Sequence, residues 1–228
     1  MRIAEIFYSL QGEGRLIGLP SVFIRTSGCN LRCVWCDTPY TSWRPEGKSL
    51  SVEKILREVE KYPTRHVVIT GGEPLLAPDL GHLAAELKTA GKHITIETAA
   101  TIFRKLPGDL FSLSPKLAHS TPWKKAPGRV AERHEAQRLN FAAIQNYLDG
   151  YDYQLKFVVA RPGDLDEIEA VLARLSRVDR ARVLLMPEGT TRRALAARSG
   201  WLAEICKQRG FGFTPRLHIE LFGNRRGT

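Results

Sequence analysis

Apolar residues along this chain gather in six short blocks. Between the blocks they recur every third or fourth position. The blocks are "SVFIRTSG" (21–28), "HVVITGG" (66–72), "HITIET" (93–98), "DLFSLSP" (109–115), "YQLKFVVA" (153–160) and "ARVLLMPE" (181–188). Several are rich in β-branched residues and end in Gly or Pro, the form of a buried strand closed by a turn. The intervening spacing is helical. Ser51 stands as N-cap before Val52, Ile55, Leu56 and Val59, which share one face. Leu80, Leu83, Ala84 and Leu87 repeat the spacing, and Gly91 sits where a left-handed C′ residue is wanted. Asp164 and Glu167 form an Asp version of a capping box ahead of Ile168, Val171, Leu172 and Leu175. A last helix is expected over about 191–208. Strands alternating with helices predict an α/β fold with a parallel sheet. The segment 117–137, with Pro122, Trp123, Pro127 and Gly128, reads as a long loop.

Length and composition narrow the setting. A chain of 228 residues, 43% hydrophobic and 25% charged, fits a single domain with an ordinary core. No apolar run approaches the ~20 residues of a membrane span. The start, "MRIAEIFYSLQGEGR", places Glu5 where a secretory signal would be apolar, so a cytoplasmic protein is expected. The net charge of +10 allows a nucleic-acid partner, a basic surface or a pocket for small anions. Stretches such as "RVAERHEAQR" mix both signs and form no basic block.

The chemistry is concentrated in "TSGCNLRCVWCDTPYTSW" (26–43), which carries three of the four cysteines at C-x3-C-x2-C spacing. In a reducing compartment clustered thiols bind metal. Thiolates suit zinc and iron–sulfur clusters alike. Structural zinc takes four ligands. Here Cys206 is isolated and His66 is far along the chain, so three thiols leave one coordination position open, which favours a catalytic cluster.

The cysteine loop has Trp35 just before its last cysteine, and a following strand ends in "TGGEP" (70–74). Together these resemble the radical S-adenosylmethionine superfamily. The N-terminal "IFYSLQGEGRLIGLPSVFIRTSGCNLRCVWCDT", with "TGGEPLL", "IET", "LSPK", "QLKFVV", "LMPEG" and the ending "LHIELFGNRRGT", resembles the 7-carboxy-7-deazaguanine synthases over essentially the whole chain. The resemblance implies a partial (β/α)6-type barrel with a reduced helical complement. It implies one domain over 1–228, with 1–20 as a substrate-binding extension. The activity implied is ring contraction of 6-carboxy-5,6,7,8-tetrahydropterin with release of ammonia. The cofactors implied are a 4Fe–4S cluster, S-adenosylmethionine and Mg2+. The partners implied are an electron donor such as flavodoxin or ferredoxin and a second copy of the chain, with no nucleic acid and no membrane.

Carried over by position, Cys29, Cys33 and Cys36 hold the cluster and Thr38 the Mg2+. Trp35, Cys36, Asp37, Gly72, Ser114, Pro115, Lys116, Gln154, Leu155, Lys156 and Phe157 meet S-adenosylmethionine. Leu10, Gln11, Gly12, Arg25 and Thr70 meet the pterin. "GGEP" is expected to give backbone and the Glu73 carboxylate to the methionine amino group. Plainer roles stand beside these. Gln11 and Glu13 could belong to a polar turn, Arg25 to a strand-edge surface, and Thr38 to a cap. Cys206 reads as a buried small hydrophobe and His218 as structural. Two other readings compete: an activase that makes glycyl radicals, and a non-catalytic metal-containing nucleic-acid-binding module drawing on Trp43, Trp123, Lys124 and Lys125.

Overall fold

The computed structural model describes residues 1–228. The elements are β1 (Arg2–Leu10), β2 (Pro20–Thr26), β3 (Lys48–Ser49), α1 (Val52–Glu60), β4 (His66–Gly71), α2 (Leu80–Thr89), β5 (His93–Thr98) and β6 (Leu110–Leu113), followed by α3 (Arg129–Gln137), α4 (Phe141–Gly150), β7 (Tyr153–Val159), α5 (Asp164–Ala173), β8 (Val183–Pro187), α6 (Arg192–Arg209), β9 (Gly212–Phe213) and α7 (Leu217–Phe222). All nine strands form one sheet in the order β3-β1-β2-β4-β5-β6-β7-β8-β9. From β2 through β9 every neighbouring pair is parallel, while β1 runs antiparallel to both β2 and β3. The six strands expected from sequence are β2, β4, β5, β6, β7 and β8, side by side in chain order. The sheet stays open, as a partial barrel, and no helix links β5 to β6.

The period of two along each strand divides the sheet into two faces. Val22, Ile24, Val67, Ile69, Ile94, Ile96, Phe111, Leu113, Leu155, Phe157, Val183 and Leu185 join the helices in one large core. The opposite face carries a small apolar plug of Phe7, Phe23 and Val68. Beyond it toward the strand C-termini come Thr70, Glu97, Ser112 and Lys156, which open onto a cavity. Parallel α/β folds place their sites at this end.

Local signals behave as their chemistry dictates. The Ser51 side chain accepts from the Lys54 amide, and Thr191 accepts from Ala194 to start α6. Gly91 follows α2 at φ +70°. The capping box at Asp164 does not form. Asp164 lies inside α5 and instead accepts from the Ala160 and Arg161 amides, at 2.8 and 3.1 Å. Glu167 reaches sideways to the Ala118 amide and to Arg138.

The long loop expected over 117–137 is irregular only as far as Gly128. Residues 129–137 are helix α3, with only Ala131 and His134 buried. So narrow a buried stripe among charged residues leaves little periodic signal. The stretch 1–20 is more than an extension, because β1 supplies Ile3 to the main core and Phe7 to the plug.

Candidate active site

The cysteine loop leaves β2 at Thr26 and is fixed by backbone contacts on all sides. Gly28 donates to the Thr41 carbonyl at 2.8 Å, and Val34 to that of Ser120 at 2.8 Å. The Trp43 indole donates to the Cys33 carbonyl at 2.9 Å. The Arg32 guanidinium caps the Cys29 and Leu31 carbonyls at 2.6 and 2.8 Å. The turn after β4 presses against this loop. Glu73 donates its amide to the Gly28 carbonyl at 2.9 Å. A Cβ at residue 72 would overlap Gly28 and Cys29, so glycine is required there by close packing.

The three thiols lie around one cavity of about 620 Å³, with Leu31 and Ala99 packed beside them. Burial pushes the Cys29 thiol up to about 11 and that of Cys33 to about 12. Without a cation they keep their protons, and a metal centre would reverse that preference. The residues fit a cluster with one open position. Cys206 lies buried in α6. Of the nearby histidines, His134 accepts the Arg32 amide on Nδ1 and meets Ser120 Oγ on Nε2. His119 accepts the Trp35 indole on Nδ1 and meets the Val158 carbonyl on Nε2. No group of three His, Cys, Asp or Glu side chains converges on a point suited to a single metal ion.

Most of the other expected residues share this cavity: Trp35, Asp37, Thr38, Gly72, Ser114, Lys116 and Lys156, and Leu10, Gln11, Gly12, Arg25 and Thr70. Thr38 stands 3.9 Å from Cys36 Sγ. Lys116 donates to the Ser114 carbonyl and hydroxyl at 2.6 and 2.8 Å, and burial lowers its pKa. It is a half-buried cation with no carboxylate partner. Arg25 is no surface charge. Its Nε donates to Glu5 at 2.6 Å and its guanidinium lies over Phe7.

Four expected residues do not line the cavity. Leu155 and Phe157 alternate with Lys156 along β7 and fall on the helix-covered face, both fully buried in the core. Gln154 is used within the protein, donating to Ser112 Oγ at 2.8 Å and accepting from the Arg15 amide at 2.9 Å. Pro115 is buried and does not line the cavity, unlike its neighbours Ser114 and Lys116. The Glu73 carboxylate is also otherwise engaged. It is 1% exposed and accepts from Thr98 Oγ1, the Ala99 amide and the Leu75 amide at 2.7, 2.9 and 3.2 Å. It locks the turn after β4 to the end of β5 and does not line the cavity.

Four further cavity residues, Glu97, Glu13, Arg216 and His218, were not among the ligand-binding residues expected from sequence. Glu97 accepts from Gln11 Nε2 at 3.2 Å and from Thr70 Oγ1 at 3.0 Å. A lone carboxylate on a strand that is otherwise buried was the available signal. Glu13 pairs with Lys156 and with Arg216, and these cations hold its carboxyl below the usual range against the opposing effect of burial. Arg216 also pairs with Asp37. His218 packs against Gly12 so closely that a Cβ there would overlap its ring.

Three comparisons bear on this geometry. The model of the radical SAM superfamily matches residues 23–119. A 7-carboxy-7-deazaguanine synthase of Halobacterium salinarum is 49% identical over 97% of this chain and 90% of its own length. The chain belongs to the 7-carboxy-7-deazaguanine synthase family. A second member, from Rhodopirellula baltica, is 47% identical over 99% of this chain and 88% of its own length. The crystal structure of QueE from Escherichia coli superposes with a TM-score of 0.72 at 27% identity, covering 95% of this chain and 94% of that one. The open parallel sheet is thus a radical SAM fold.

Two outcomes follow from the site. Cys33→Ala is expected to lose most cluster iron, measured by anaerobic iron and sulfide analysis, while Cys206→Ala keeps it. Glu73→Gln is expected to destabilise the metal-free chain by about 1–3 kcal/mol in urea unfolding, because a carboxamide cannot accept all three donors. An unchanged midpoint would return Glu73 to a ligand-binding role.

Proposed function

We infer that the chain is a radical S-adenosylmethionine synthase that converts 6-carboxy-5,6,7,8-tetrahydropterin to 7-carboxy-7-deazaguanine with release of ammonia. The observation that carries this reading is a single cavity with three thiols of one loop at one end and Gln11, Arg25, Thr70 and Glu97 at the other. When bound at Cys29, Cys33 and Cys36, the cluster and S-adenosylmethionine supply a primary carbon radical able to abstract hydrogen. The chain's own residues bind and orient. Glu97 can accept from the amino and ring N–H groups of the pterin head, and Gln11 can both donate and accept. Arg25 can fork onto a carboxylate. Lys116 offers its unpaired cation to the S-adenosylmethionine carboxylate beside the cysteines. Holding the carboxylate-bearing carbon against the radical is a positioning task, in which small displacements cost large factors in rate.

Thr38 offers a hydroxyl beside the cysteine loop, and Mg2+ prefers oxygen ligands and keeps several waters. One threonine together with the substrate carboxylate makes a reasonable magnesium site. A low-potential carrier such as flavodoxin or ferredoxin delivers the electron, and the enzyme works as a cytoplasmic homodimer. Among the α helices none is long and apolar enough to cross a membrane. A glycyl-radical activase would share the cysteine loop but has no use for the Gln11 and Glu97 pair. A nucleic-acid module has no use for an enclosed cavity behind the thiols.

The reading is tested with pterin deuterated at the carbon bearing the carboxylate. Label is expected in recovered S-adenosylmethionine, since the family regenerates it each turnover. Product without label transfer, or one 5′-deoxyadenosine consumed per product, would refute the carrier role. Thr38→Ala is expected to retain iron and S-adenosylmethionine binding while its rate loses dependence on Mg2+. An unchanged Mg2+ titration leaves Thr38 as a turn hydroxyl.

A further inference from the structure

Arg216 has no role in the reading so far, yet it reaches three segments that line the cavity. It lies between β9 and α7 and is only 7% exposed. Its Nε donates to Glu13 Oε1 at 3.1 Å, and its Nη1 to the Gly189 carbonyl at 2.6 Å. Its Nη2 pairs with Asp37, the residue directly after the last cluster cysteine. One planar cation therefore joins the 11–14 loop at the pterin end, the cysteine loop, and the turn after β8. The backbone around it repeats the link. Leu217 donates to the Gly12 carbonyl at 2.9 Å, and Gly14 donates to Thr214 Oγ1 at 2.6 Å.

The charges make this cation hard to replace. Glu13 and Asp37 are both partly shielded from solvent, Glu13 the more so, and both pair with this cation. Lys156 satisfies Glu13 from the other side but makes no ion pair with Asp37. Removing the guanidinium would leave two like charges near each other and Asp37 without an ion-pair partner, a cost that grows with the burial of the pair. A lysine restores the charge but cannot reach three acceptors in one plane.

We propose that Arg216 is a positioning residue that sets the register between the pterin-binding loop and the cysteine loop, so that the hydrogen to be abstracted lies opposite the radical carbon. It touches neither reacting centre and acts through Glu13 and Asp37. This rests on the synthase reading above. Its signature is loss of coupling: radical generation continues, but fewer events end in product.

The experiment uses reconstituted wild-type enzyme with Arg216→Gln and Arg216→Lys. Each is assayed for iron content, S-adenosylmethionine binding by equilibrium dialysis, product, and free 5′-deoxyadenosine. Arg216→Gln is expected to keep iron and S-adenosylmethionine binding within about twofold, lose about 10²-fold in kcat/KM, and release more 5′-deoxyadenosine per product. Arg216→Lys is expected to recover part of the coupling. Hydrogen exchange supplies a readout independent of turnover, in which segments 11–14 and 34–38 should lose protection together in Arg216→Gln. Wild-type rate and coupling in Arg216→Gln would overturn the proposal. So would loss of iron in step with activity, which marks a scaffold role alone. If the wild type makes no product from the pterin, the synthase reading falls. Exchange then decides for Arg216: joint loosening of the two segments supports it, and unchanged protection overturns it.

Discussion

The contact between the turn after β4 and the cysteine loop after β2 is the constraint on which the rest of the site depends. Two adjacent parallel strands deliver these segments to the same edge, and parallel pairing brings their C-terminal ends level. The chains then meet backbone to backbone, with Gly72 against Gly28. A side chain at residue 72 would push the cysteine loop off the sheet. Glu73 fastens the turn to β5 with a buried carboxylate that accepts three hydrogen bonds. Burial raises its pKa and those bonds oppose the rise. The three thiols inherit their placement from this lock and from the carbonyl caps of Arg32 and Trp43.

The cavity's charges divide into those already paired and those left free. Arg25 with Glu5, Lys156 with Glu13, and Arg216 with Glu13 and Asp37 are paired within the chain. Lys116 near the cysteines and Glu97 near Gln11 form no ion pair. A buried charge without a partner is expensive and marks a place where a ligand completes the pairing. Both free charges line the cavity, Lys116 beside Ser114 and Glu97 beside Gln11 and Thr70. The net charge of +10 is not concentrated in this cavity, whose lining sets Glu13, Asp37, Glu97 and Glu188 against Arg25, Lys116, Lys156, Arg216, Arg225 and Arg226.

Sequence reasoning reached the site through the residues whose chemistry is local. The cysteine spacing, the paired glycines and the six apolar blocks each signal over a few positions, and each stands where the pattern put it. What escaped depends on distant parts of the chain. Arg216 becomes a site residue only when the end of the sheet folds back over residues 11–14, some 200 positions earlier in the chain. Glu97 was visible as a charge on an apolar strand, but its partners Gln11 and Thr70 come from two other strand ends. Leu155 and Phe157 went the other way. A contiguous segment reads as one binding unit in sequence, whereas a strand turns alternate residues to opposite faces. Helix α3 was missed because its buried stripe is two residues wide.

That alternation also explains how so small a domain can support a site of this size. Each strand serves the core with one set of side chains and the cavity with the other, so site residues add no length. The arrangement works only if the inner face is closed below, and the Phe7–Phe23 stack with Val68 does that, its rings 4.9 Å apart and nearly parallel. The plug needs β1, which places Phe7 opposite Phe23 in antiparallel register. The same strand runs directly into Leu10, Gln11 and Gly12. The N-terminal strand therefore seals one side of the cavity and carries Leu10, Gln11 and Gly12 into its lining. This couples the shape of the cavity to the packing of β1 near the sheet's edge.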